Sequence, residues 1–455
     1  MGDVAWLASA PPTTRPPEGE HNVPVGTAKV TARVRVFSAR EALRMSLWFI
    51  PALSVTAAVG LAAGLIALDH RLPQARDWPL LFPGGAESAR NLLSTIAAAM
   101  VTSISLIFSV TMVVLQLASA QYSPRVLRTF LRDRLVQAVL GVYLSTFVYS
   151  LLVLPSVTAA SEQGPAFVPA VSVSVAVVLT LVSLGLFVRY IHHIAHSIRA
   201  VTVLRAVHDE TRQSLDNLYP DEIGEAAPDV PLPSEEPTAT VRSLRPGVMV
   251  AVDEDRLLDV AAEARLVVRI VPLMGDFVAE GAPVLDVWSP QPAVDGGALL
   301  DCIAFADERT IEQDAAFGFR QIVDIAERAL SPGVNDPTTA AQAIDQLHDL
   351  LRRLVGREFP SRARVDRSGE LRVIAPRLSW EDYVDLAFDE IRLYSGRSLQ
   401  VVRRLRGALT DLVAAAPADR AGALERQLKL LDRDVTREFD DPLDRAKATR
   451  PADLS

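Results

Sequence analysis

The sequence predicts a membrane protein with four transmembrane α-helices and a cytosolic α+β domain, a small β module followed by helices. Three observations lead to this prediction. The chain of 455 residues has a mean hydropathy of +0.22, which is high for a water-soluble protein and low for a many-span transporter. Four long runs without a charged residue lie within residues 1–200. Residues 1–200 have 15 Lys and Arg against 9 Asp and Glu, whereas residues 201–455 have 31 against 46.

The uncharged runs locate the spans. They contain 23, 34, 27 and 26 residues and are Ser46–Leu68, Asn91–Pro124, Leu135–Ser161 and Gln163–Val188. About 20 apolar residues cross the hydrocarbon core of a bilayer, so each run is long enough. We predict a transmembrane domain over residues 45–200, with spans at about 46–68, 91–118, 135–155 and 166–188. The alternative, buried helices of a soluble protein, would need a far larger surrounding chain.

Basic residues beside the spans predict the orientation. The loop at 155–163 contains no Lys or Arg. Basic residues instead flank the other span ends: Lys29, Arg33, Arg35, Arg40 and Arg44, then Arg125, Arg128, Arg132 and Arg134, then Arg189, Arg199 and Arg205. Both termini should therefore be cytoplasmic. Residues 1–44 are predicted to be a disordered, basic cytosolic segment.

The second run contains a polar stripe. Small hydroxyl and amide residues recur at helical spacing, at Thr95, Thr102, Ser105, Ser109, Gln116 and Ser119. This spacing places them on one helical face, opposite Ile96, Ile104, Ile107 and Val110. The favoured interpretation is helix packing, in which each hydroxyl bonds a carbonyl of its own helix. The alternative is that copies of this helix line a hydrated pathway, which requires a homo-oligomer because one four-helix unit cannot enclose a wide channel.

Two other features of the membrane half predict contacts. Gly60 and Gly64 form a small-xxx-small pattern that predicts close helix contact and a self-associating face. After the second run, Arg125, Arg128 and Arg132 lie opposite apolar residues. That pattern predicts a basic amphipathic segment at the surface of the inner leaflet, or a rigid link between the second and third spans. The two interpretations are compatible.

Several longer segments together resemble one bacterial family. They are FPGGAESAR at 82–90, FSVTMVVLQLASAQYSPR at 108–125 followed by Phe130 and Arg132–Asp133, IHHIAH at 191–196, and QDAAFGFRQIVDIAERALSPGVNDP at 313–337. Over about residues 35–445 the sequence is similar to the predicted membrane proteins catalogued as domain of unknown function 2254. The resemblance implies a four-span protein of the bacterial inner membrane with a cytosolic domain. It implies no catalytic residue and no ligand.

Three histidines lie just after the fourth span, at His192, His193 and His196. His192 and His196 share a helical face, as in sites where two histidines bind one metal ion. No carboxylate lies within a turn of them, so a further ligand would have to come from elsewhere. We therefore favour histidines at the level of the lipid headgroups, near the negative end of a helix. The alternatives are pH sensing and metal binding.

Residues 201–303 change in character. Residues 201–245 are predicted to be a linker because Pro and Glu are frequent after Tyr219. Residues 246–303 are predicted to be a small β module with strands at Val248–Val252, Leu266–Val271, Asp276–Val278 and Pro283–Trp288. GDFVAEGAPVL at 275–285 resembles a turn of biotinyl/lipoyl-like domains, which attach their cofactor to lysine. The β segment has no lysine, so we predict no cofactor, and we expect Cys302, after an apolar strand, to be a buried thiol.

Residues 304–455 are predicted to be helical. Helices are expected from about Ile311 to Ala329, at Ala340–Leu354 after an Asp336 N-cap, at Trp380–Ala415 and at Ala418–Glu438, with a short strand at Leu371–Ala375. Polar residues of the first helix and the loop after it are candidate contacts with a small ligand or another subunit: Asp314, Arg320, Gln321, Asp324, Asn335 and Asp336. The favoured interpretation of this polar face is that it is solvated or meets a neighbouring subunit.

The sequence favours one function class and excludes others. The larger soluble part is acidic, which argues against nucleic acid as a partner. No phosphate-binding loop, nucleophile elbow or metalloprotease motif occurs, so we predict no enzyme. The uncharged runs contain no Asp, Glu, Lys, Arg or His, which argues against proton-coupled transport. We predict a passive oligomeric channel with a regulatory cytosolic domain. The alternative is a non-conducting scaffold or sensor that presents its acidic domain to a soluble partner.

Overall fold

Four apolar helices form the N-terminal part of the computed structural model. They are α1 (Phe49–Arg71), α2 (Ala86–Gln121), α3 (Arg134–Val153) and α4 (Ala170–Ser197), and a short 3-10 turn follows α3 at Leu154–Ser156. All four are long and apolar enough to cross a membrane, which confirms the prediction. The structure describes residues 49–71, 81–121, 134–158, 167–197, 199–219, 233–290 and 294–450, with side chains except in 117–121 and 195–197.

The helix ends differ from the predicted spans. α1 runs to Arg71 rather than residue 68, so it includes Asp69 and His70. α2 begins at Ala86 rather than residue 91 and includes Glu87 in its first turn. The predicted spans marked only the charge-free stretches, whereas a helix continues into the headgroup region, where charged side chains are hydrated.

The third helix occupies the centre of the membrane part. α3 is the most buried of the four, and α1, α2 and α4 each pack on it. Its closest contact is at Gly141, where a Cβ would lie 2.8 Å from Ser54 Oγ and 3.4 Å from Pro51 Cα of α1. Large apolar side chains point outward instead, 57–63% exposed at Leu53, Phe108, Leu181 and Val188. In a bilayer these side chains contact lipid.

Residues assigned to a linker include a helix. α5 (Ala200–Leu218) follows α4 almost directly, so the predicted linker over 201–245 is wrong for its first part. One face of α5 is buried, and Val203, Leu204, Val207 and Leu215 belong to the same apolar core as the C-terminal helices. A periodic apolar face of this kind is the usual signal of a packed helix. The frequent Pro residues lie further on: Pro220, Pro228 and Pro231 are outside the described chain, and Pro233 and Pro237 precede β1.

The β unit consists of residues 233–313 and 360–377 within the described chain. A five-stranded sheet has the order β1-β5-β3-β8-β7 and a three-stranded sheet the order β4-β2-β6. The strands are β1 (Ala239–Arg242), β2 (Gly247–Val252), β3 (Val267–Ile270), β4 (Phe277–Val278), β5 (Pro283–Trp288), β6 (Ile303–Ala306), β7 (Ala363–Val365) and β8 (Leu371–Ile374). Two helices, α6 (Glu254–Glu263) and α7 (Gly296–Leu300), complete the unit.

The strand predictions hold for five strands and miss three. The segments at 248–252, 266–271, 276–278 and 283–288 are β2 to β5, and β8 matches the predicted strand at 371–375. The missed elements are β1, which lies in the predicted linker, α6, α7, β6 and β7. Strand pairing explains part of the failure, because the missed strands β1 and β6 pair with β5 and β2, each roughly 50 residues away in the chain. A sequence read segment by segment carries no signal of such a pairing.

The C-terminal bundle consists of α5 and six further helices. These are α8 (Ala315–Leu330), α9 (Pro337–Leu354), α10 (Trp380–Tyr394), α11 (Leu399–Ala415), α12 (Ala418–Glu438) and α13 (Pro442–Ala448). Leu, Ile, Val, Ala and aromatic side chains form a single core between them. The predicted long helix at 380–415 is wrong, because the chain breaks between α10 and α11 with Gly396 at φ +48°. An L-residue with a side chain rarely adopts that conformation, so the glycine marks the break.

Candidate functional site

The polar stripe lies on the outer surface of α2. Thr95, Thr102, Ser105, Ser109 and Gln116 are all exposed, whereas Ile96 and Ile107 on the opposite face are buried. Ile104 and Val110 are half-buried, and the side chain of Ser119 is outside the described part. The predicted division of α2 into two faces is therefore present in the structure. No described helix of the same chain packs on the stripe, because its residues point away from α3 and α4.

Each hydroxyl of the stripe bonds its own helix. Thr95 Oγ1 donates to the Asn91 carbonyl at 2.7 Å and Thr102 Oγ1 to that of Ala98 at 3.1 Å. Ser105 and Ser109 donate in the same way to Val101 and Ser105 at 3.0 and 2.8 Å. These bonds satisfy the hydroxyl protons, which lowers the cost of an apolar environment. Each hydroxyl oxygen can still accept a bond from water or from another molecule.

The two glycines of α1 make no close contact with the other residues that the structure describes. Gly60 and Gly64 are exposed, and a Cβ at either position would have no heavy atom within 4 Å. Within the chain, α1 packs through Pro51, Ala58 and Ala62 instead. Contact between copies through the Gly60 and Gly64 face stays a prediction.

An acidic side chain joins two spanning helices. Asp69, near the end of α1, is 4% exposed and caps the N-terminus of α4. Its carboxylate accepts from the backbone N–H groups of Val171 (3.0 Å) and Ser172 (2.9 Å) and from the Ser172 hydroxyl (2.6 Å). Sequence reasoning missed this residue, because Asp69 lies one residue beyond the first uncharged run. The only signal was an Asp at a span end with a span N-terminus to cap at the same predicted membrane surface.

Other polar contacts inside the membrane part also join helices. Tyr190 Oη of α4 donates to the Ile107 carbonyl of α2 at 3.0 Å and lies 2.8 Å from Thr111 Oγ1. Tyr149 Oη of α3 donates to the carbonyl of Ser172 at 2.9 Å. Hydrogen bonds of this kind hold helices together where apolar burial cannot, since lipid is as apolar as the helices.

The basic segment and the histidines give no assembled site. Arg125, Arg128 and Arg132 lie outside the described residues, as does the side chain of His196. His192 is exposed and His193 half-buried near the end of α4. Among the described residues, no group of three His, Cys, Asp or Glu side chains is placed to hold a metal ion. The membrane-surface and pH-sensing interpretations stay predictions.

The polar face of α8 is built into the bundle rather than solvated. Asp314 is 5% exposed, and its carboxylate caps α8 by accepting from Phe317 N–H at 3.1 Å. Gln321 is 5% exposed. Asp324 accepts from Arg320 at 2.8 Å, and Arg320 also pairs with Glu327 and Glu390. The solvated half of that interpretation is wrong, because these polar groups are used by the fold itself, and a contact with a neighbouring subunit or a small ligand stays a prediction.

The polar side chain of Asp336 in the loop between α8 and α9 is also used in hydrogen bonds within the fold. Asn335 has φ +50°, and Asp336 caps α9 by accepting from the backbone N–H groups of Thr338 and Thr339, both at 3.1 Å. These bonds lower the pKa of Asp336, with the hydroxyl of Thr339 the strongest contributor. The predicted N-cap is confirmed. The carboxylate oxygens that would hold a ligand already accept from α9.

The free thiol is buried, as expected. Cys302 is 0% exposed and lies between α7 and β6, not after a strand as predicted. Burial raises its pKa to about 11, so the thiol stays protonated near neutral pH. A protonated, inaccessible thiol is a poor nucleophile.

A site that sequence reasoning missed joins α5 to α9. His208 of α5 is 8% exposed, with Nε2 2.8 Å from Asp349 Oδ2 of α9 and Nδ1 3.2 Å from Asp209 Oδ1. Two turns further along α5, Asp216 pairs with Arg353 at 2.7 Å and with Arg357 at 2.8 Å. The only local signal was a His-Asp dipeptide in a region assigned to a linker, so this pairing had no visible partner.

Similar proteins identify the family. A family model described as predicted membrane protein (DUF2254) matches residues 44–411. The chain belongs to the DUF2254 family. It is 35% identical over 413 residues to uncharacterised proteins of Mycobacterium bovis and Mycobacterium tuberculosis, and the alignment covers 89% of this chain and 79% of each relative. No solved structure matches.

These matches support the assignment as a membrane protein, but they indicate no activity, substrate or partner. The family match includes all four spanning helices and extends into α11. Neither the family description nor the names of the relatives indicate an enzyme. The function of this DUF2254 protein therefore has to be inferred from its geometry.

Proposed function

We propose that this DUF2254 protein forms a homo-oligomeric passive channel in the bacterial inner membrane. Copies of α2 surround the pathway with Thr95, Thr102, Ser105, Ser109 and Gln116 facing it. Both termini lie in the cytoplasm, where the β unit and the C-terminal bundle regulate conduction. The observation that carries this proposal is the outward position of the polar stripe, which leaves it available to other copies.

The arrangement of α2 supports lining rather than packing within one chain. Its apolar face, including Ile96 and Ile107, is already buried inside the four-helix unit. Its polar face has no partner within the described chain beyond the hydroxyl bonds to α2 itself. Gln116 adds an exposed primary amide, which is costly to leave against lipid tails. Assembly around a water-filled axis removes that cost.

The distribution of ionisable residues supports passive conduction. In the spanning helices such residues lie near the ends, at Asp69 to Arg71, Glu87, Arg90, Arg134, Arg189, His192, His193 and His196. A proton-coupled transporter needs a titratable group at membrane depth to bind and release the proton. A hydroxyl-lined pathway needs none, since water and hydroxyl oxygens hydrate a permeating ion or small solute.

Reconstitution into planar bilayers tests the proposal. The double variant Ser105→Leu with Ser109→Leu should abolish the conductance of the wild-type protein, because two large apolar side chains dewet the stripe. Val101→Leu with Phe108→Leu is the matched control, since these exposed residues of α2 lie to one side of the stripe. It should conduct normally. Absence of any wild-type conductance above protein-free bilayers, at all pH values and tensions, would refute the channel and favour the membrane-anchored scaffold.

Protease treatment tests the orientation. Protease added outside intact cells should leave the C-terminal bundle intact, whereas protease added to inside-out vesicles should digest it. Digestion from the outside would contradict cytoplasmic termini.

A further inference from the structure

The His208 ring is held between two carboxylates. Nε2 lies 2.8 Å from Asp349 and Nδ1 lies 3.2 Å from Asp209, while the His208 side chain is 10% exposed. Both carboxylates reach the surface, with 77% and 64% of the side chains of Asp209 and Asp349 exposed. The pair of contacts fixes the ring against α9 and leaves the carboxylates in contact with water.

Hydrogen-bond counting assigns a charge state to this ring. An ionised carboxylate only accepts hydrogen bonds, so both nitrogens of His208 have to donate. A neutral imidazole has a single N–H, and only the imidazolium can donate from both nitrogens. Both contacts are hydrogen bonds at the same time only when both ring nitrogens of His208 donate. Loss of the proton would leave one lone pair facing a carboxylate oxygen.

A second histidine in the same bundle has one ring nitrogen that has to accept a hydrogen bond. His348 Nε2 lies 2.7 Å from Asp411 Oδ2, but Nδ1 lies 3.3 Å from an Nη2 atom of Arg404. A guanidinium only donates, so Nδ1 of His348 accepts in this contact. His348 and Asp349 are adjacent on α9, which allows one histidine to serve as the control for the other.

The His208 contact lies where the last span continues into the bundle. α5 begins three residues after α4 ends, so the contact ties the helix that continues the last span to the C-terminal bundle. The other charged tie, between Asp216 and the arginines Arg353 and Arg357, involves no group that titrates near neutral pH. Histidine is the side chain whose charge changes between about pH 5 and 8.

We propose that His208, Asp209 and Asp349 form a proton-dependent clasp that holds α5 on α9 within the C-terminal bundle. The charged groups facing His208 are Asp209 on its own helix and Asp349 on α9, while α8 meets α5 through Gly318 against Thr211. The closed clasp binds one more proton than the open one. Closure is therefore favoured in acid and weakens as pH rises. The proposal does not depend on whether the protein conducts.

Hydrogen exchange of the full chain in detergent tests the clasp. Amides of α5 should lose protection as pH rises from 6 to 8, after correction for the intrinsic exchange rate. The loss should reach at most about tenfold per pH unit, the limit for one linked proton. Amides of α12, which is remote in sequence and has no histidine, provide the internal reference.

Two variants separate the clasp from general destabilisation. His208→Gln cannot gain a charge, so its α5 protection should not change with pH. His348→Gln should keep the wild-type pH dependence of α5, because Nδ1 of His348 faces a guanidinium rather than a second carboxylate and the ring does not contact α5. Asp349→Asn should move the transition to lower pH by removing one acceptor. The proposal is overturned if wild-type α5 protection is the same at pH 6 and 8, or if His208→Gln keeps the full pH dependence.

Discussion

The membrane helices and the C-terminal bundle differ most in their outward-facing side chains, and the membrane helices also bury more small and hydroxyl residues. Between α1 and α4, buried positions include Gly141, Thr146, Ser150 and Ser172, while Leu, Val and Phe face outward. In the bundle, Leu, Ile and aromatic residues are buried and Asp, Glu and Arg pair on the surface. Burial of apolar area drives folding in water but offers little in lipid. Close backbone contact and hydrogen bonds therefore have to hold the membrane helices together.

Both regions nevertheless contain a glycine at a close contact between two helices. Gly141 lets α3 approach α1, and Gly318 lets α8 approach α5. Both regions thus need a residue without a side chain where two helices come closest, although the side chains that surround the rest of each helix differ. Variants at these glycines and at matched control positions test whether the two regions differ in this way.

The largest effect is expected at Gly318 in the bundle. A Cβ there would overlap Thr211 Oγ1 and would lie 2.8 Å from Thr211 Cβ, so Gly318→Ala forces α8 and α5 apart. We expect a loss of about 3 kcal/mol in unfolding free energy, at the upper end of overpacking costs. Thermal unfolding of the full chain in detergent measures it.

Two further variants make the result specific. Thr211→Ala should restore part of the lost stability in the double variant, because the two residues are in contact. Gly422→Ala is the control, since Gly422 lies in α12 and a Cβ there would have no heavy atom within 4 Å. It should stabilise the protein by up to about 1 kcal/mol. Equal effects of Gly318→Ala and Gly422→Ala would contradict the close approach.

A smaller effect is expected at Asp69 in the membrane part. Asp69→Ala removes the acceptor for two backbone N–H groups at the start of α4, and loss of an N-cap costs about 1–2 kcal/mol. The first turn of α4, at Val171 and Ser172, should exchange its amides faster. Glu87→Gln is the control because Glu87 is exposed in the first turn of α2. Unchanged exchange at Ser172 would show that Asp69 does not cap α4.

How far the sequence predicted these regions depends on which contacts matter. The four spans, β5 and the Asp336 cap were predictable, because charge-free length, strand composition and local capping are all visible within one segment. Asp69, the His208 contact and the β3–β8 pairing were not. Each joins residues about 100 or more positions apart in the chain. The two-faced character of α2 was predictable from its periodicity, but its outward orientation depends on where α3 and α4 lie.

Acid should destabilise the C-terminal bundle. For Asp216 burial raises the pKa, but hydrogen bonds and charge from Arg353 and Arg357 outweigh it and lower the value. For Asp411 burial is outweighed in the same way by His348 and Arg352. Each folded-state pKa lies below the unfolded one, so this stability is present above about pH 4 and is lost as pH falls through the folded values. Unfolding midpoints between pH 7 and 3 measure the effect.

Neutral variants identify the carboxylates responsible. A chain with Asp216→Asn and Asp411→Asn should be less stable at pH 7 and should lose less stability on acidification. Asp419→Asn provides a control on the exposed first turn of α12. An acid transition of unchanged depth in the double variant would show that other carboxylates control it.

The smallest effect on the single chain is expected at Gly60 and Gly64. Among the described residues, a Cβ at either glycine would have no heavy atom within 4 Å, so Gly60→Leu with Gly64→Leu should leave the free energy of unfolding within about 0.5 kcal/mol of the wild-type value. If copies meet through this face, the same variant should lower the oligomeric mass, because leucine prevents close backbone approach. Val59→Leu, also exposed on α1, is the control for added volume. Unchanged oligomeric mass would exclude this face from assembly. A large loss of stability in the single chain would contradict its exposure, and Gly60 and Gly64 would then resemble the buried Gly141.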